Sequence, residues 1–520
     1  MSGGEARAGD AAGGGQARAG DTVSGDEARG GDAADGGQAR GGDAAGGGSA
    51  RAGGGGAAAP PPGYLGAEAR VRSGPAPELV AAGYELELDD ARLLHRGLGL
   101  SDLAHVLALE HAQAIPREDA TALKAALKDL LDADPDVADP RYGDLVNVRE
   151  RALEERIGTA AGWLNAGRPR REAGRIAFRI ALRDRLLDLE QATLRFAHAL
   201  VTRAADERDT PMPDYTYLQA AQPTTAGHWL LSHAYPAIRD AARTADDFAH
   251  TNRSPAGAGG VNGSRFALDR AQLAAALGFA APIPHTRDAM WQTDPFTEAA
   301  WHAATAATTA SRFAEDVEIY GSDEFHLLRI GDALCRASAL MPQKRNPYAL
   351  VVIRGGASTL LGRATGVLAT QRTPSGRTDN LLYAYGEVAG TVERAAKLLD
   401  LAAATAESLT IDRAACRRAL EEHPEVLAAD QAELISLETG LDYRSAYREV
   451  GRAIAAHAPI ELDLDETLAT RTTLGGAAPA PMDAMLDATR RAIEAAAALN
   501  RTRRDDLAAA ERELLQRAVR

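Results

Sequence analysis

One ten-residue stretch, 338–347, combines several side chains that could do chemistry. It contains the hydroxyl of Ser338, the ammonium of Lys344 and the carboxamide of Asn346, with Pro342 and Pro347 between and after them. The prolines and the long helical pattern that follows predict a loop here. Taken alone, these residues could also form a capped helix start. Their combination is more specific than any one of them, because all three groups can donate hydrogen bonds to an anion.

Elimination next to a carboxylate requires such a set of groups. Removal of a proton from the carbon beside a carboxylate creates an aci-carboxylate with extra negative charge. The site therefore needs one base and fixed donors directed at the carboxylate oxygens. Ser338, Lys344 and Asn346 would supply these groups.

The loop resembles the signature loop of the fumarase/aspartase superfamily, Gly-Ser-Ser-x-Met-Pro-x-Lys-x-Asn. Its Gln-Lys-Arg-Asn-Pro ending, residues 343–347, is typical of the argininosuccinate lyase branch. Further blocks that look like those of this branch occur in the family order, at 165–173, 214–223, 254–270, 322–325 and 428–446. The chain is identified as a divergent, argininosuccinate lyase-like member of the superfamily.

This resemblance implies an all-α, three-domain subunit with a long central helical bundle. It also implies a homotetramer in which three subunits contribute to each active site. By position, Ser338 corresponds to the family's catalytic base, on a loop where Ala337 and Ala339 replace a glycine and a serine. The residues expected to bind substrate are Thr216, Gln222, Met341, Lys344, Asn346, Arg170, Arg171, Arg372 and Arg377.

The acid side of the family's site is altered. Tyr217 stands where the family has a catalytic histidine, and Val351 stands where the carboxylate that supports it is expected. Joint loss suggests a rebuilt site, because a buried carboxylate without its partner would be costly. Tyr217 is the second candidate catalytic residue and could donate a proton; equally, its hydroxyl could only orient the substrate.

The expected substrate-binding blocks also differ. Arg170 matches a substrate-contacting arginine, while Pro169 and Arg171 replace a serine and an asparagine, which predicts a cationic but reshaped pocket. Arg372 and Arg377 lie where argininosuccinate lyases place neutral groups that hold the guanidino end. A guanidinium would meet like charge there, so ordinary argininosuccinate is not expected as the substrate.

Three functions are consistent with these residues. The leading hypothesis is a carbon–nitrogen lyase that eliminates an amine beta to a carboxylate, or adds one in reverse, with fumarate as the small product. A second is elimination of a good leaving group such as nitrite, which would dispense with the acid pair. A third is a non-catalytic structural or binding member of the family, which the retained Ser338, Lys344 and Asn346 disfavour.

Composition limits the partners. The formal charge is -15, with no basic concentration for nucleic acid or an anionic membrane, and a small-molecule carboxylate is the expected partner. Cys335 and Cys416 are the two cysteines, which suits a reducing cytoplasm. No nucleotide loop or metal-ligand spacing occurs, so no cofactor is expected. His228 and His233 are expected to pack rather than to react.

Helical periodicity predicts the elements that must position these groups. Long helices are expected at 176–205, 296–320 and 349–370, the last interrupted at Gly355 and Gly356. Beyond about 409 the helices are expected to shorten, separated at Pro424, Pro459 and Pro479. The predicted division is a disordered Gly/Ala-rich tail (1–62), an N-terminal helical domain (63–157), a central bundle (158–408) and a C-terminal helical domain (409–520).

Overall fold

The computed structural model describes residues 70–519 apart from 72, 136–138, 373–380 and 382. These described residues belong to one compact unit. The predicted tail and Arg377 lie outside them, and the predicted domain boundaries stay predictions.

The described residues are predominantly helical, as the all-α prediction requires. The α-helices are α1 (Pro77–Leu79), α2 (Glu85–Asp89), α3 (Ala91–His111), α4 (Arg117–Leu131), α5 (Leu145–Ile157), α6 (Arg170–Asp206), α7 (Ala226–Thr251), α8 (Arg270–Ala276), α9 (Thr286–Trp291), α10 (Asp294–Tyr320), α11 (Tyr348–Leu368), α12 (Tyr385–Ser408), α13 (Arg413–Glu421), α14 (Ala428–Thr439), α15 (Tyr443–Ala455), α16 (Leu464–Ala469) and α17 (Pro479–Val519). Shorter helices are a π-helix (Val80–Tyr84) and 3-10 turns at Pro140–Tyr142, Gly158–Asn165, Asp332–Leu334, Ala369–Gln371 and Pro424–Leu427.

Short strands form two-stranded sheets between the helices. Antiparallel pairs join β1 (Pro211–Thr216) to β2 (Gln219–Thr225), β5 (Leu328–Arg329) to β8 (Thr410–Ile411), and β6 (Arg336–Ala337) to β7 (Arg345–Asn346). A parallel pair joins β3 (Arg253–Ser254) to β4 (Ala281–Pro282). The pairs β1–β2 and β6–β7 are hairpins, and both carry predicted site residues.

Small side chains let the long helices approach closely. Residues of α10 at helical spacing, among them Ala300, Ala303, Ala307 and Ala310, are fully buried in the main core. The predicted interruption of α11 at Gly355 and Gly356 is wrong, since the helix runs through both. A Cβ on Gly356 would lie only 2.8 Å from Leu398, so this glycine serves close contact with α12.

The helix α6 is the axis of the fold. It spans 37 residues, about 55 Å at 1.5 Å per residue. Arg179, fully buried, donates to the carbonyls of His250 and Thr251 at the end of α7. Arg183 donates in the same way to Leu277 and Gly278 beyond the end of α8. These guanidinium groups satisfy carbonyls that helix ends leave without partners.

The prediction that helices shorten toward the C-terminus is wrong for the last helix. The helix α17 is 41 residues long and begins at Pro479. Proline is tolerated in a first helical turn, where its missing N–H would have no partner within the helix. Buried Asn500 then ties α17 to α6, because its amide donates to the Leu187 carbonyl (3.0 Å) and the Glu190 carboxylate (2.7 Å).

Within the described ranges, we find no helix of the length and apolarity needed to cross a membrane.

Replacing Asn500 should destabilise the fold. Asn500→Ala removes two buried hydrogen bonds and leaves the Leu187 carbonyl without this donor, which should lower the free energy of unfolding by about 1–3 kcal/mol. Thr502→Ala, at an exposed position two residues along the same helix, is the control and should stay within about 0.5 kcal/mol. Denaturant unfolding of both variants measures the difference; equal stabilities would contradict the role given to Asn500.

Candidate active site

The predicted signature loop is the connection of a short hairpin. Strands β6 and β7 pair through Arg336 with Asn346 and Ala337 with Arg345, and residues 338–344 join them. The Ser338 hydroxyl oxygen accepts the backbone N–H groups of Met341 (3.0 Å) and Leu340 (3.3 Å). The hydroxyl is thus held at the start of the loop with two amide donors directed at its oxygen.

The other predicted loop residues follow Ser338 in sequence, and their side chains differ in whether a hydrogen bond fixes them. The Asn346 amide donates across the hairpin to the Arg336 carbonyl at 3.0 Å, which fixes its direction. Lys344 and Met341 are exposed, and the Lys344 N–H donates to the Met341 carbonyl at 3.1 Å. The ammonium of Lys344 therefore stands in solvent, available to an anion.

Sequence reasoning missed the role of Arg345. Its guanidinium donates to the Asp332 carboxylate at 2.7 Å and contacts the Ile330 carbonyl, which ties the hairpin to the preceding segment. The only sequence signal was its place inside the Gln-Lys-Arg-Asn-Pro block.

A second hairpin carries Thr216, Tyr217 and Gln222. Strands β1 and β2 are joined by Tyr217 and Leu218, which have φ values of +54° and +57°. This two-residue turn needs left-handed backbone, which usually selects Asn or Gly and costs other residues about 1–2 kcal/mol each. Strain retained at an exposed tip is typical of functional segments.

The tip of this hairpin is exposed to solvent. Tyr217 is 98% exposed, so it contacts almost nothing of its own chain. Val351, in the first turns of α11, is 54% exposed. The chain therefore does not place Tyr217 against Val351 or against Ser338. Thr216 and Gln222 are likewise exposed on the hairpin strands.

Arg170 and Arg171 open α6 and line a small cavity of about 30 Å³. Arg170 pairs with Asp144 (3.0 Å), and Arg171 with Glu87 (3.3 Å) and Asp144 (3.5 Å). Asp90 lines the same cavity. The described lining thus carries two guanidinium groups and three carboxyl groups, so the two arginines are paired with acidic groups of their own subunit. The cationic substrate pocket stays a prediction. Sequence motifs show neither Glu87 nor Asp90 as neighbours of the arginines, because both come from a distant segment.

Burial affects the carboxyl groups of this cavity. Burial raises the pKa of Asp90 to about 6, although the Gly386 N–H donates to it. Burial also raises the pKa of Glu87, against the opposing charge of Arg171. Asp90 therefore takes up a proton in the mildly acidic range, unlike an ordinary aspartate.

Of the predicted leaving-group arginines, the structure describes Arg372 alone. It follows the 3-10 turn Ala369–Gln371, is exposed, and its N–H donates to the Ala369 carbonyl at 3.1 Å. Arg377 lies outside the described residues.

The histidines next to the second hairpin hold structure together. His228 uses both ring nitrogens, one with the Thr224 hydroxyl (2.9 Å) and one with the Gly475 carbonyl (3.0 Å). His233 pairs with Asp316 at 3.1 Å. No group of three or more His, Cys, Asp or Glu residues suited to a metal ion occurs within the described part of the chain.

Comparison with known proteins finds lyases that are similar to this chain in sequence. A family model described as "Lyase" matches residues 78–362. Argininosuccinate lyase of Frankia casuarinae is 32% identical over 406 residues, covering 76% of this chain and 86% of the relative. That of Mycobacterium avium is 35% identical over 371 residues, covering 70% and 78%.

Solved structures share the fold at lower identity. EDDS lyase in complex with formate has a TM-score of 0.74 at 23% identity, covering 86% of this chain and 96% of that one. The 3-carboxy-cis,cis-muconate lactonizing enzyme from Pseudomonas putida has a TM-score of 0.59 at 20% identity, covering 85% and 99%. These likenesses concern the fold.

The raised pKa of Asp90 makes stability depend on pH. Between about pH 4 and 6 the native state holds a proton that the unfolded state releases, so this group's contribution to stability falls as the pH rises. Asp90→Asn keeps an acceptor for Gly386 and cannot ionise. Its melting temperature minus that of the wild type should therefore increase from pH 4.5 to pH 7.

Differential scanning fluorimetry across this range measures the effect. Asp89→Asn removes an exposed carboxylate from the adjacent position and controls for the loss of one negative charge. A difference between Asp90→Asn and wild type that does not change with pH would contradict the assignment.

Proposed function

Because this chain belongs to the fumarase/aspartase superfamily, on its argininosuccinate lyase-like branch of carbon–nitrogen lyases, we propose that it releases an amine other than that of argininosuccinate. The amine leaves from the carbon beta to a carboxylate, and fumarate is the other product; the reverse addition follows the same path. No cofactor takes part in this proposal.

The observation that carries the proposal is the position of the Ser338 oxygen. Two backbone N–H groups, from Met341 and Leu340, donate to it. Donors to an oxygen stabilise its negative charge, so this geometry favours the alkoxide that a serine needs in order to act as a base. The base removes a proton from the carbon beside the carboxylate, and the C–N bond breaks with its electron pair leaving on the amine.

Lys344 and Asn346 would stabilise the resulting aci-carboxylate. The Lys344 ammonium is exposed, and the Asn346 amide is oriented by its bond to the Arg336 carbonyl. Met341 lies on the same loop, and Thr216 and Gln222 would contribute from the second hairpin. Such preoriented donors act on charge that appears only during the reaction, so they raise kcat more than they lower KM.

A homotetramer with shared active sites completes the proposal. The exposure of Tyr217 at a strained hairpin tip supports it, because this side chain has no surroundings in its own subunit. Tyr217 would protonate or orient the leaving group in a site formed with other subunits. The expected location is the cytoplasm.

The identity of the leaving group is proposed from charge. Arg372 is exposed at the end of the 3-10 turn after α11, and Arg377 follows it in sequence. Cations at this place would repel the guanidinium of argininosuccinate. A second candidate reaction, loss of a good leaving group such as nitrite, is favoured by the missing histidine and carboxylate, since nitrite needs no proton to leave.

Ser338→Ala should abolish turnover. Loss of a general base typically costs about 10²–10⁴ in rate, whereas removing one hydroxyl from a surface loop should leave the melting temperature and oligomeric state unchanged. Mixing enzyme with fumarate and candidate amines, or with N-substituted aspartates, and following fumarate absorbance measures the rate. Ser358→Ala, an exposed hydroxyl on α11, is the matched control and should keep activity. Near-normal turnover by Ser338→Ala would remove Ser338 from the mechanism.

Restoring the family's acid pair tests whether the leaving-group pocket has changed. Tyr217→His alone places an imidazole where Val351 offers no carboxylate to orient it, so activity on the native substrate should fall or stay flat. Tyr217→His with Val351→Glu should still fail on argininosuccinate, because Arg372 and Arg377 remain. Fumarate release from argininosuccinate by both variants is the measurement; robust turnover by the double variant would overturn the role given to the two arginines.

A further inference from the structure

Among the polar contacts between helices α7 and α10, three pairs recur at a regular spacing and are here called the polar seam. His233 Nε2 lies 3.1 Å from the Asp316 carboxylate. The Thr309 hydroxyl donates to Asp240 at 2.6 Å. His302 Nδ1 lies 2.9 Å from Asp247, whose carboxylate is only 2% exposed.

The seam has a heptad spacing on both helices. Positions 233, 240 and 247 ascend along α7 while 316, 309 and 302 descend along α10. Seven residues are close to two helical turns, so successive pairs lie about 10 Å apart on the same face. The helices therefore run antiparallel, and a shift in register would separate all three pairs. Each pair has one buried member, and polar pairs of this kind specify register.

Both site hairpins are connected in sequence to one end of this helix pair. The β1–β2 hairpin leads directly into the N-terminus of α7, and the C-terminus of α10 leads toward the Ser338 loop. Because the helices are antiparallel, these two ends are adjacent. The His233–Asp316 pair is the pair nearest to this end, and His302–Asp247 is the farthest, 14 residues and about 21 Å along each helix.

A proline gives the near pair a particular role. Pro236 lies inside α7, between His233 and Asp240. Proline has no N–H and weakens the helix at its position, so the first part of α7 is less firmly directed by the rest of the helix. His233 is the residue of the polar seam that lies before Pro236. Its bond to Asp316 holds the N-terminal part of α7 against α10.

Aromatic contacts carry this restraint to the hairpins. Trp229 also donates to Asp316 (3.4 Å) and packs on Tyr320 with ring centroids 5.5 Å apart. Tyr320 packs on Tyr215 of β1 at 5.6 Å, and Tyr215 packs on Phe325 at 5.1 Å. Tyr215 precedes Thr216, and Phe325 precedes the Ser338 loop. The contacts are therefore continuous from the near pair to Tyr215 in the β1–β2 hairpin and to Phe325 in the segment that leads to the Ser338 loop.

We propose that His233 is a positioning residue, which through Asp316 holds the Thr216–Tyr217 hairpin in place relative to the segment that leads to the Ser338 loop. The effect on catalysis rests on the proposed function, but the effect on the hairpins does not. The middle and far pairs of the seam set helix register and do not position the site.

The chain provides a matched control. His233→Leu and His302→Leu each break one His–Asp pair between the same two helices. Asp247 is far more buried than Asp316, whose side chain is 40% exposed, so His302→Leu should lower the melting temperature more. His233→Leu should nevertheless lower kcat more, by about 10- to 100-fold with a smaller change in KM, because displacement by about 1 Å can cost 10²-fold. His302→Leu should keep kcat within about threefold.

Amide variants separate positioning from folding. Gln can place a nitrogen where His233 Nε2 lies, and Asn can do so for His302 Nδ1. His233→Gln should therefore restore kcat to within about fivefold of wild type by regaining the bond to Asp316. If His302→Leu does not fold, Thr309→Val, which breaks the middle pair, serves as the control. Equal losses of kcat at the near pair and at the control pair, or unchanged kcat in His233→Leu, would overturn the proposal.

Hydrogen exchange of the full chain gives a readout that needs no substrate. In His233→Leu, peptides covering 211–225 and 336–346 should exchange faster than in wild type, while in His302→Leu they should match wild type. Unchanged exchange of these peptides in His233→Leu would overturn the proposal even if activity falls. If the wild type releases no fumarate from any N-substituted aspartate, the proposed function fails, and the exchange result still decides the positioning role.

Discussion

Burial of α6 along nearly its whole length is the constraint on which the rest of the structure depends. A helix so enclosed must carry side chains that either pack or find partners, and its arginines do the second. Arg179 and Arg183 donate to carbonyls at the ends of α7 and α8, which fixes where those helices stop. Burial lowers the pKa of Arg179 to about 9, so the guanidinium stays charged at neutral pH. Arg179 therefore fixes the C-terminal end of α7, the helix whose N-terminal end follows the β1–β2 hairpin directly.

The proposed catalytic residues lie outside this enclosed core. Ser338 and Tyr217 both sit on short hairpins that emerge from the bundle, where side chains can meet a substrate. The cost is that neither hairpin has a large core of its own. The contacts of Tyr215 with Tyr320 and Phe325 anchor the β1–β2 hairpin to the end of α10. The bonds of Arg345 to Asp332 and Ile330 anchor the β6–β7 hairpin to the preceding segment. Rigid helices thus hold loops that remain accessible, an arrangement common in enzyme sites.

Much of the fold was predictable because its signals are local. Helical periodicity located α6, α10 and α11 to within six residues at each end, and the loop at 338–347 was recognised from its resemblance to the family's signature loop. Prediction failed where a local pattern does not show its tertiary surroundings. Pro479 marks a helix boundary, as expected, but no local pattern shows that α17, which begins there, is 41 residues long. Gly356 weakens a helix in isolation but permits the contact with α12.

The sequence by itself determined the helical class and which residues can do chemistry, because side-chain type and periodicity are properties of neighbouring residues. Tertiary structure alone decided what those residues face. Arg170 and Arg171 are balanced by Asp144 and Glu87, and His233 meets Asp316, in pairs separated by up to 84 residues along the chain. Such pairings leave no local pattern, since they depend on how whole helices cross. For the same physical reason Tyr217 was recognisable as a substitution, but its exposure became evident only in the folded chain.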